Sequence, residues 1–254
     1  MSEVLRRAVQ VLDVLRVAGD GLSIRDVSAQ VGLPKSTVQR LLRELVETDL
    51  AAQDGATRRY RLGPRTLALG TAYQRRLDVR TVALPHLVAL RDDLEETAGL
   101  SVLIGEELLH VEQAESRSSL RATFEVGKPL PLWSGAPSRV LMTELSDADV
   151  TRIARRRGGR QVQPVNPPEP ATLLAAVRLA RQVGHAMAFE ETLPGVNTVS
   201  VVIEGPAGVA AALSVTGPST RFDRGSMTAA LHGMTLTAET IGSELGRVEP
   251  ASPR

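Results

Sequence analysis

The chain has 254 residues, of which 43% are hydrophobic and 23% charged, a composition that suits a globular protein with one large or two moderate domains. Residues 1–80 contain 14 Lys and Arg against 9 Asp and Glu, and residues 81–254 contain 16 against 20, so the net charge of +1 hides a basic front part and an acidic remainder. This asymmetry favours a polyanionic partner for the front part alone, and the lack of cysteine excludes disulfides, thiolate nucleophiles and thiolate metal ligands.

Apolar residues at helical spacing predict a first helix over Val4–Val17, which ends at the Gly-rich stretch 18–21. Glu3 and Asp13 make this segment unlike the apolar core of a signal peptide. Nowhere does the sequence approach the roughly 20 unbroken apolar residues that a membrane helix needs. We therefore expect a cytoplasmic protein with no membrane partner.

Two more helices and a hairpin follow in the basic part. Ser23 is placed to cap a second helix over 24–30, and Pro34 suits the first position of a third helix that runs to about residue 48. Strands over 50–53 and 58–62 flank the turn candidate Asp54-Gly55. Pro64 then begins a connecting helix, whose apolar residues are Leu67, Ala68, Ala72, Tyr73 and Leu77.

From about residue 82 the pattern alternates between helices and strands. A capping box at 146–149 predicts a helix that ends at Gly158-Gly159, and a Pro-rich loop follows it. Five or more strands bracketed by helices predict a single α+β domain. The other predicted helices cover 84–98, 138–145, 172–183 and 223–245, and the strands cover 101–104, 108–111, 120–126, 185–189, 198–203 and 208–215.

The stretch VGLPKSTVQRLLREL, Val31–Leu45, fits a helix-turn-helix. Gly32 would be the turn glycine and Ser28 the small residue where the helices cross. The polar positions of the second helix supply cations, an amide and hydroxyls, which are the groups that pair with base edges in the major groove, whereas Glu44 and Glu47 should face away from DNA. The positions expected to be buried are Val27, Val31, Leu33, Val38 and Leu41, and those expected to face DNA are Lys35, Ser36, Thr37, Gln39, Arg40 and Arg43.

A solvated basic helix face is the competing interpretation. That interpretation does not account for the turn glycine, the Pro start, the capped preceding helix or the Arg-rich hairpin. We therefore interpret the hairpin as the wing of a winged helix, whose Arg58, Arg59 and Arg61 contact the DNA backbone without reading sequence. Arg25 on the second helix is a further expected DNA contact.

Over nearly its whole length the chain resembles the IclR family of bacterial transcriptional regulators. The resemblance rests on GLPKSTVQRLLRELVE (Gly32–Glu47) with YRLG (Tyr60–Gly63), on VGKPLPLWSGAPSRVLM (Val126–Met142), and on GVNTVSVVI (Gly195–Ile203) leading into AALSVTGP (Ala211–Pro218). It implies an α+β protein in which a winged helix-turn-helix is joined by a linker helix to a GAF-like α/β effector-binding domain. The implied segments are the DNA-binding domain 1–63, the linker and dimerisation helix 64–80, the effector domain 81–248 and a disordered tail 249–254.

The resemblance also implies the partners and a ligand pocket. The partners are a double-stranded DNA operator, a second copy in a homodimer or homotetramer, and a small organic acid or aromatic catabolite as effector. The chain departs from the family pattern at Trp133 with Ser138-Arg139, and at Ala188 and Thr198, where some acid-binding members have Asp and Cys. The implied pocket residues are Trp133, Ser134, Gly135, Ala136, Pro137, Thr198, Ser214 and Thr216.

Purely structural roles remain open for some of these positions. The hydroxyls of Ser214 and Thr216 could face solvent or a helix layer, and Trp133 could be a core residue. A small-molecule enzyme or enzyme-like sensor fused to an autoregulatory DNA-binding domain is the alternative function. Four scattered histidines and the lack of HExxH, GxSxG, GxGxxG and GxxxxGK patterns predict no metal, no cofactor and no catalytic residues.

Overall fold

The computed structural model describes residues 3–74, 78–155, 168–206 and 208–247. The chain divides into two compact units, residues 1–76 and 77–254. Among the described helices, none combines the length and the apolar character needed to cross a bilayer. Four expectations lie outside the described residues: the helix end at Gly158-Gly159, most of the Pro-rich loop, the tail 249–254 and the placement of Leu77.

The first unit contains the predicted helices and hairpin, which are confirmed. Its core joins all three leading helices to the hairpin through Val11, Val27, Val38, Leu42 and Tyr60, each of which is buried. The elements are α1 (Glu3–Arg16), α2 (Ile24–Val31), α3 (Lys35–Glu47), β1 (Ala51–Gln53), β2 (Tyr60–Leu62) and α4 (Pro64–Gln74).

The turn between α2 and α3 has the geometry that the sequence predicted. Ser23 and Asp26 form a reciprocal capping box at the start of α2. Gly32 adopts the left-handed conformation with φ of 67°, a region that a residue with a Cβ rarely occupies. The Ser28 hydroxyl donates to the Leu33 carbonyl at 2.6 Å, so the small residue at the crossing also fixes the turn.

The hairpin turn is longer than Asp54-Gly55. The Asp54 carboxylate accepts hydrogen bonds from the backbone amide and the hydroxyl of Thr57 and from the Ala56 amide, and these bonds hold the pKa of that carboxyl below its ordinary value. Arg58 has a φ of 58°, which removes it from the extended conformation. The second strand therefore begins at Tyr60 and not at residue 58 as predicted.

The second unit is built on one antiparallel sheet with helices on both faces. Within the described residues the sheet has six strands in the order β5-β4-β3-β8-β7-β6. Helices α5 and α9 pack on one face, and α6, α7 and α8 pack on the other. The elements are α5 (Asp78–Leu94), β3 (Thr97–Ile104), β4 (Glu107–Ala114), β5 (Pro129–Pro131), α6 (Gly135–Leu141), α7 (Asp147–Arg155), α8 (Pro170–Val183), β6 (His185–Phe189), β7 (Val196–Gly205), β8 (Gly208–Pro218) and α9 (Arg224–Leu245).

Two predicted elements of this unit are wrong. The helix expected over 84–98 ends at Leu94, because Glu95 has a φ of 58° and Ala98 already pairs with Val215 in the sheet. The strand expected over 120–126 is absent, because side chains and not a neighbouring strand satisfy that backbone: Thr97 Oγ1 donates to the Ala122 carbonyl at 2.6 Å. The neighbour of β4 is instead β5, a three-residue strand that the sequence did not reveal.

Residues 121–128 lie against the end of the sheet as an irregular segment. The Phe124 amide donates to the Gln113 side-chain oxygen at 2.8 Å, and the Gly127 amide donates to the His110 carbonyl at 2.8 Å. The Phe124 ring occupies the space above Gly99, where an added Cβ would lie 2.4 Å from a ring carbon. The missing side chain at position 99 therefore creates the site in which the ring packs.

Glu96 is buried, at 4% exposure, and its carboxylate accepts two hydrogen bonds from Arg221 at 2.5 and 2.9 Å. We predict that Arg221→Met lowers the free energy of unfolding of the second unit by about 2–3 kcal/mol, because it leaves a buried carboxylate without its counter-ion. Urea unfolding followed by fluorescence measures this, since the only tryptophan, Trp133, lies in that unit.

Arg121→Met is the matched control. Arg121 pairs with Glu115 at 3.1 Å where both side chains are more than 40% exposed, so its loss should cost less than about 1 kcal/mol. Equal losses of unfolding free energy in the two variants would show that the buried Glu96–Arg221 pair stabilises the unit no more than the exposed pair does.

Candidate nucleic-acid interface and ligand cavity

The exposed side of α3 carries the side chains predicted to face DNA. Lys35, Ser36, Gln39, Arg40 and Arg43 are exposed, and Thr37 is half-buried. The opposite side of the helix is anchored in the core by Val38, Leu41, Leu42 and Leu45. Because burial fixes the rotation of α3, these five exposed residues form one continuous surface, which we call the α3 face.

A groove separates the α3 face from the hairpin. It is lined by Ser36, Gln39, Arg40 and Arg43 on the helix and by Gln53 and Tyr60 on the two strands. Glu47 also lines this groove, 4.0 Å from Arg43, and its expected orientation away from DNA stays a prediction. A spacing of four residues puts Glu47 directly beyond Arg43, near the C-terminal end of the helix.

The three arginines expected on the wing are all exposed, and Arg59 in addition bonds to the loop before α2. Arg58 and Arg61 are exposed, as is Arg25 on α2. The Arg59 guanidinium donates to the Gly21 carbonyl at 2.9 Å, and the Leu22 amide donates to the Tyr60 carbonyl beside it. Arg59 thus ties the hairpin to the loop before α2, a positioning role that sequence reasoning missed.

The second unit contains a cavity of about 210 Å³, lined by residues of β4, β7 and β8 and by the segments around β5 and α6. Seven of the eight implied pocket residues line it: Trp133, Ser134, Gly135, Ala136, Pro137, Thr198 and Thr216. Ser214, the eighth, does not. It is fully buried, and its hydroxyl is hydrogen-bonded to Ser200 at 2.7 Å. Its placement in the pocket is corrected accordingly.

The register of β7 and β8 explains both outcomes. Thr198 pairs with Thr216 and Ser200 pairs with Ser214, so all four hydroxyls lie on one face of the sheet. The threonine pair lies at the cavity, with its oxygens 2.9 Å apart, and Thr216 also donates to the Asn197 carbonyl at 3.1 Å. The serine pair lies two residues further along β7 and β8, and α6 packs against these two strands.

The first turn of α6 forms another wall. Gly135 has a φ of 78°, and a Cβ there would meet the Thr192 hydroxyl at 2.9 Å, so only glycine lets α6 begin this close to the β6–β7 loop. Arg139 holds the same loop from α6, because its guanidinium donates to the Met187 carbonyl at 2.8 Å and pairs with Glu191. Contacts at Gly135 and at Arg139 therefore both hold α6 against the β6–β7 loop and the strand before it.

Several lining residues were not predicted from the sequence. His110 on β4 is 5% exposed, its ring centroid lies 4.5 Å from that of Phe124, and Ser101 Oγ is 2.7 Å from its Nδ1. Burial lowers the pKa of His110 to about 4, so the ring is neutral at neutral pH. A lone histidine within the apolar run Leu108–Val111 was a usable signal. The remaining unpredicted lining residues are Leu108, Thr123, Phe124, Glu125, Lys128, Leu130, Pro131, Thr192, Leu193 and Val196.

No group of three or more His, Asp or Glu side chains in the described parts of the chain is arranged to hold a metal ion. Glu190 and Glu191, the adjacent carboxylates, have separate partners: Glu190 accepts from the Gly195 amide at 3.0 Å and Glu191 pairs with Arg139. The two carboxylates are thus used to hold the β6–β7 loop.

Comparison with protein families gives two matches that together span most of the chain. The model of the bacterial transcriptional regulator IclR C-terminal domain matches residues 71–243. The model of the IclR helix-turn-helix domain matches residues 4–55. The helix-turn-helix match contains the α3 face, and the C-terminal match contains the cavity.

Individual relatives agree with the family matches. The chain is 29% identical over 246 residues to the HTH-type transcriptional repressor AllR of Escherichia coli K12, which covers 96% of this chain and 91% of the relative. An IclR transcriptional regulator from Alicyclobacillus acidocaldarius has the same fold with a TM-score of 0.80, at 22% identity over 97% and 100% of the two chains. An IclR homolog from Microbacterium hydrocarbonoxydans, complexed with 4-hydroxybenzoate, gives a TM-score of 0.78 at 23% identity over 97% and 100%.

The buried neutral state of His110 makes a prediction for stability. Because the pKa of His110 falls from 6.5 to about 4 on folding, protonation of the ring favours the unfolded chain. The contribution of the neutral ring to the free energy of unfolding is therefore complete above about pH 6.5 and is lost as the pH falls toward 4. The wild-type protein should lose about 2 kcal/mol more unfolding free energy between pH 7 and pH 5 than His110→Gln. Urea unfolding at the two pH values measures the difference. Parallel losses in the two proteins would contradict a buried neutral His110.

Proposed function

Because the chain belongs to the IclR family of bacterial transcriptional regulators, we propose that it represses transcription by binding an operator through its α3 face, under the control of a small organic molecule in its cavity. The observation that carries this proposal is the division of chemistry between the two units: an exposed basic helix face in one and a mainly apolar, side-chain-lined cavity in the other. The repressor AllR and the regulator complexed with 4-hydroxybenzoate support the two halves of the proposal.

The α3 face suits direct reading of bases. Arginine bonds in a bidentate manner to guanine, and glutamine bonds likewise to adenine, so Arg40 and Gln39 are the residues we assign to base recognition. A recognition helix contacts bases mainly through its N-terminal residues. Glu47 lies about 16 Å along the axis from Ser36, so its charge is separated from that end of the helix.

The remaining cations position the protein on the duplex. Lys35, Arg43, Arg58 and Arg61 are exposed and would neutralise phosphates, which gives affinity without sequence discrimination. Arg25 on α2 belongs to the same group. Arg59 is bonded to Gly21, so we assign it the role of holding the hairpin in place.

We further propose that the protein binds as a homodimer or a dimer of dimers. One recognition helix covers only a few base pairs, whereas paired half-sites about 10 bp apart give a specific operator. The linker helix α4 has unpartnered apolar residues in its own unit, since Leu67 is 75% exposed and Leu69 56% exposed. A second copy would cover them, and the operator would then be an imperfect palindrome.

The cavity lies wholly in the second unit and α3 in the first, so the ligand acts through conformational equilibrium. A ligand shifts such an equilibrium only by its differential affinity for the two states, commonly about 1–3 kcal/mol. Linkage makes the effect reciprocal, so operator DNA must change the affinity for ligand by the same factor. The alternative of an enzyme with its own DNA-binding domain is less well supported, because the matched relatives are named as transcriptional regulators.

Base recognition by α3 can be tested on DNA selected from a random pool. Gln39→Ala and Arg40→Ala should weaken binding to the selected sequence by about 1–3 kcal/mol each while changing binding to scrambled DNA little. Arg58→Ala should weaken both DNAs alike and lower the salt slope by about one. Fluorescence titrations at two salt concentrations measure these effects. A Gln39→Ala variant that loses equal affinity for both DNAs would show that Gln39 does not read bases.

Ligand control can be tested with the compound that most stabilises the protein in a thermal-shift screen of organic acids, aromatics and sugars. Trp133→Ala and Thr216→Val should remove the effect of that compound on operator binding, because both side chains line the cavity, and should leave ligand-free operator binding near the wild-type value. Titrations of the operator with and without the compound measure this.

Ser214→Ala is the matched control on the same strand. Its hydroxyl is bonded to Ser200 outside the cavity, so this variant should keep the full ligand response. A loss of response in Ser214→Ala, or a full response in Thr216→Val, would contradict the assignment of the cavity as the effector site.

A further inference from the structure

The charges along the cavity wall cancel. Of the lining residues that the structure describes, only Glu125 and Lys128 carry formal charge at neutral pH, and they pair with each other. The Lys128 side chain is 20% exposed and the Glu125 side chain 61%, so the pair lies at the outer edge of the site. An anionic ligand would therefore find no unpaired cation there.

His110 is a deeply buried polar residue of the cavity wall, at 5% exposure. The Ser101 hydroxyl is fully buried, and its only hydrogen-bond neighbour among the described residues is His110 Nδ1, at 2.7 Å. A buried hydroxyl needs an acceptor for its proton, so we assign Ser101 as the donor and Nδ1 as the acceptor. This assignment leaves the ring proton on Nε2, as a neutral donor.

The Nε2 atom is available to a ligand. It has no hydrogen-bond partner within the described residues, yet it is not among the fully enclosed polar atoms that lack one. His110 is a lining residue of the cavity, so we infer that the accessible part of its ring faces that space. Burial keeps the ring uncharged, so Nε2 offers a hydrogen bond without offering a cation.

The remaining walls suit one ring. Trp133, Phe124, Leu130 and Leu193 supply apolar surface around the space, and Thr198 and Thr216 supply hydroxyls on the sheet side. The volume of about 210 Å³ exceeds the roughly 150 Å³ of an apolar cavity that admits benzene. A single substituted ring therefore fits.

We propose that the cavity selects an uncharged molecule with one ring and a carbonyl or hydroxyl oxygen, which accepts a hydrogen bond from His110 Nε2. The inference deepens the proposed function, because it rests on the cavity being the effector site and names the class of effector. An ionised carboxylate in the same place would lose its hydration and gain only neutral donors, unless Lys128 left Glu125 to meet it.

A pair of probes of nearly equal shape separates charge from size. 4-Hydroxybenzamide and 4-hydroxybenzoate share the ring and the phenol and differ in the neutral amide against the carboxylate. Calorimetric titration of the full-length protein at pH 7.5, without DNA, should give a Kd at least about tenfold lower for the amide. Equal affinities, tighter binding of the benzoate, or no binding of either probe at millimolar concentration would overturn the proposal.

Three variants test the role assigned to His110. His110→Leu should weaken 4-hydroxybenzamide binding by about tenfold or more, since it removes the buried donor, and His110→Gln should restore part of the affinity because its amide can donate. Ser214→Ala is the control, because its hydroxyl is bonded to Ser200 outside the cavity, and it should leave amide binding within about twofold of wild type. Unchanged binding in His110→Leu, or an equal loss of amide binding in Ser214→Ala, would refute the assignment.

Folding of each variant is checked by its urea transition, so a loss of binding in an unfolded variant is not counted as support. If His110→Leu fails to fold, the comparison of the two probes on the wild-type protein still decides, because equal affinities for the amide and the benzoate contradict the proposal. The experiments use no DNA. Failure of operator binding would therefore overturn the proposed function without affecting this result, and failure of the probes would leave operator binding intact.

Discussion

The alternation of side chains across an antiparallel sheet is the constraint on which the cavity depends. Successive residues of β7 and β8 point to opposite faces, so one set joins the core under α5 and α9 and the other set meets α6. Thr198 and Thr216 belong to the second set and lie where the cavity opens beside α6. A shift of one residue in this register would exchange the hydroxyls for Val199 and Val215, which lie in the other core.

The sequence predicted most of the first unit because its signals are local. A caps-and-turn pattern of Ser23, Ser28, Gly32 and Pro34 specifies two helices and their connection within about a dozen residues, and the apolar spacing of α3 then determines which side chains are exposed. The role of Arg59 escaped prediction because it depends on a contact distant in sequence. Arg59 reaches Gly21, 38 residues away, and no local pattern indicates that bond.

The second unit was less predictable for the same physical reason. Helix and strand types were mostly correct, but the segment 121–128 and strand β5 obtain their conformation from β3 and β4, not from their own composition. The resemblance located seven lining residues on the β5–α6 connection, α6, β7 and β8, whereas His110 and Phe124 are brought to the cavity by sheet pairing and by a long irregular connection. Ser214 shows the limit of residue-by-residue transfer, since a position two residues along a strand from a lining residue can be wholly enclosed.

Gly99 is a glycine inside a central strand, where the lack of a side chain ordinarily weakens a sheet. Here the gap receives the Phe124 ring, and that ring forms part of the cavity wall. Gly99 does not line the cavity, yet its lack of a Cβ atom determines that the Phe124 ring forms part of the cavity wall. A single methyl group at position 99 would displace the aromatic ring and reshape the site, so the range of molecules accepted could diverge between related proteins even when every lining residue is the same.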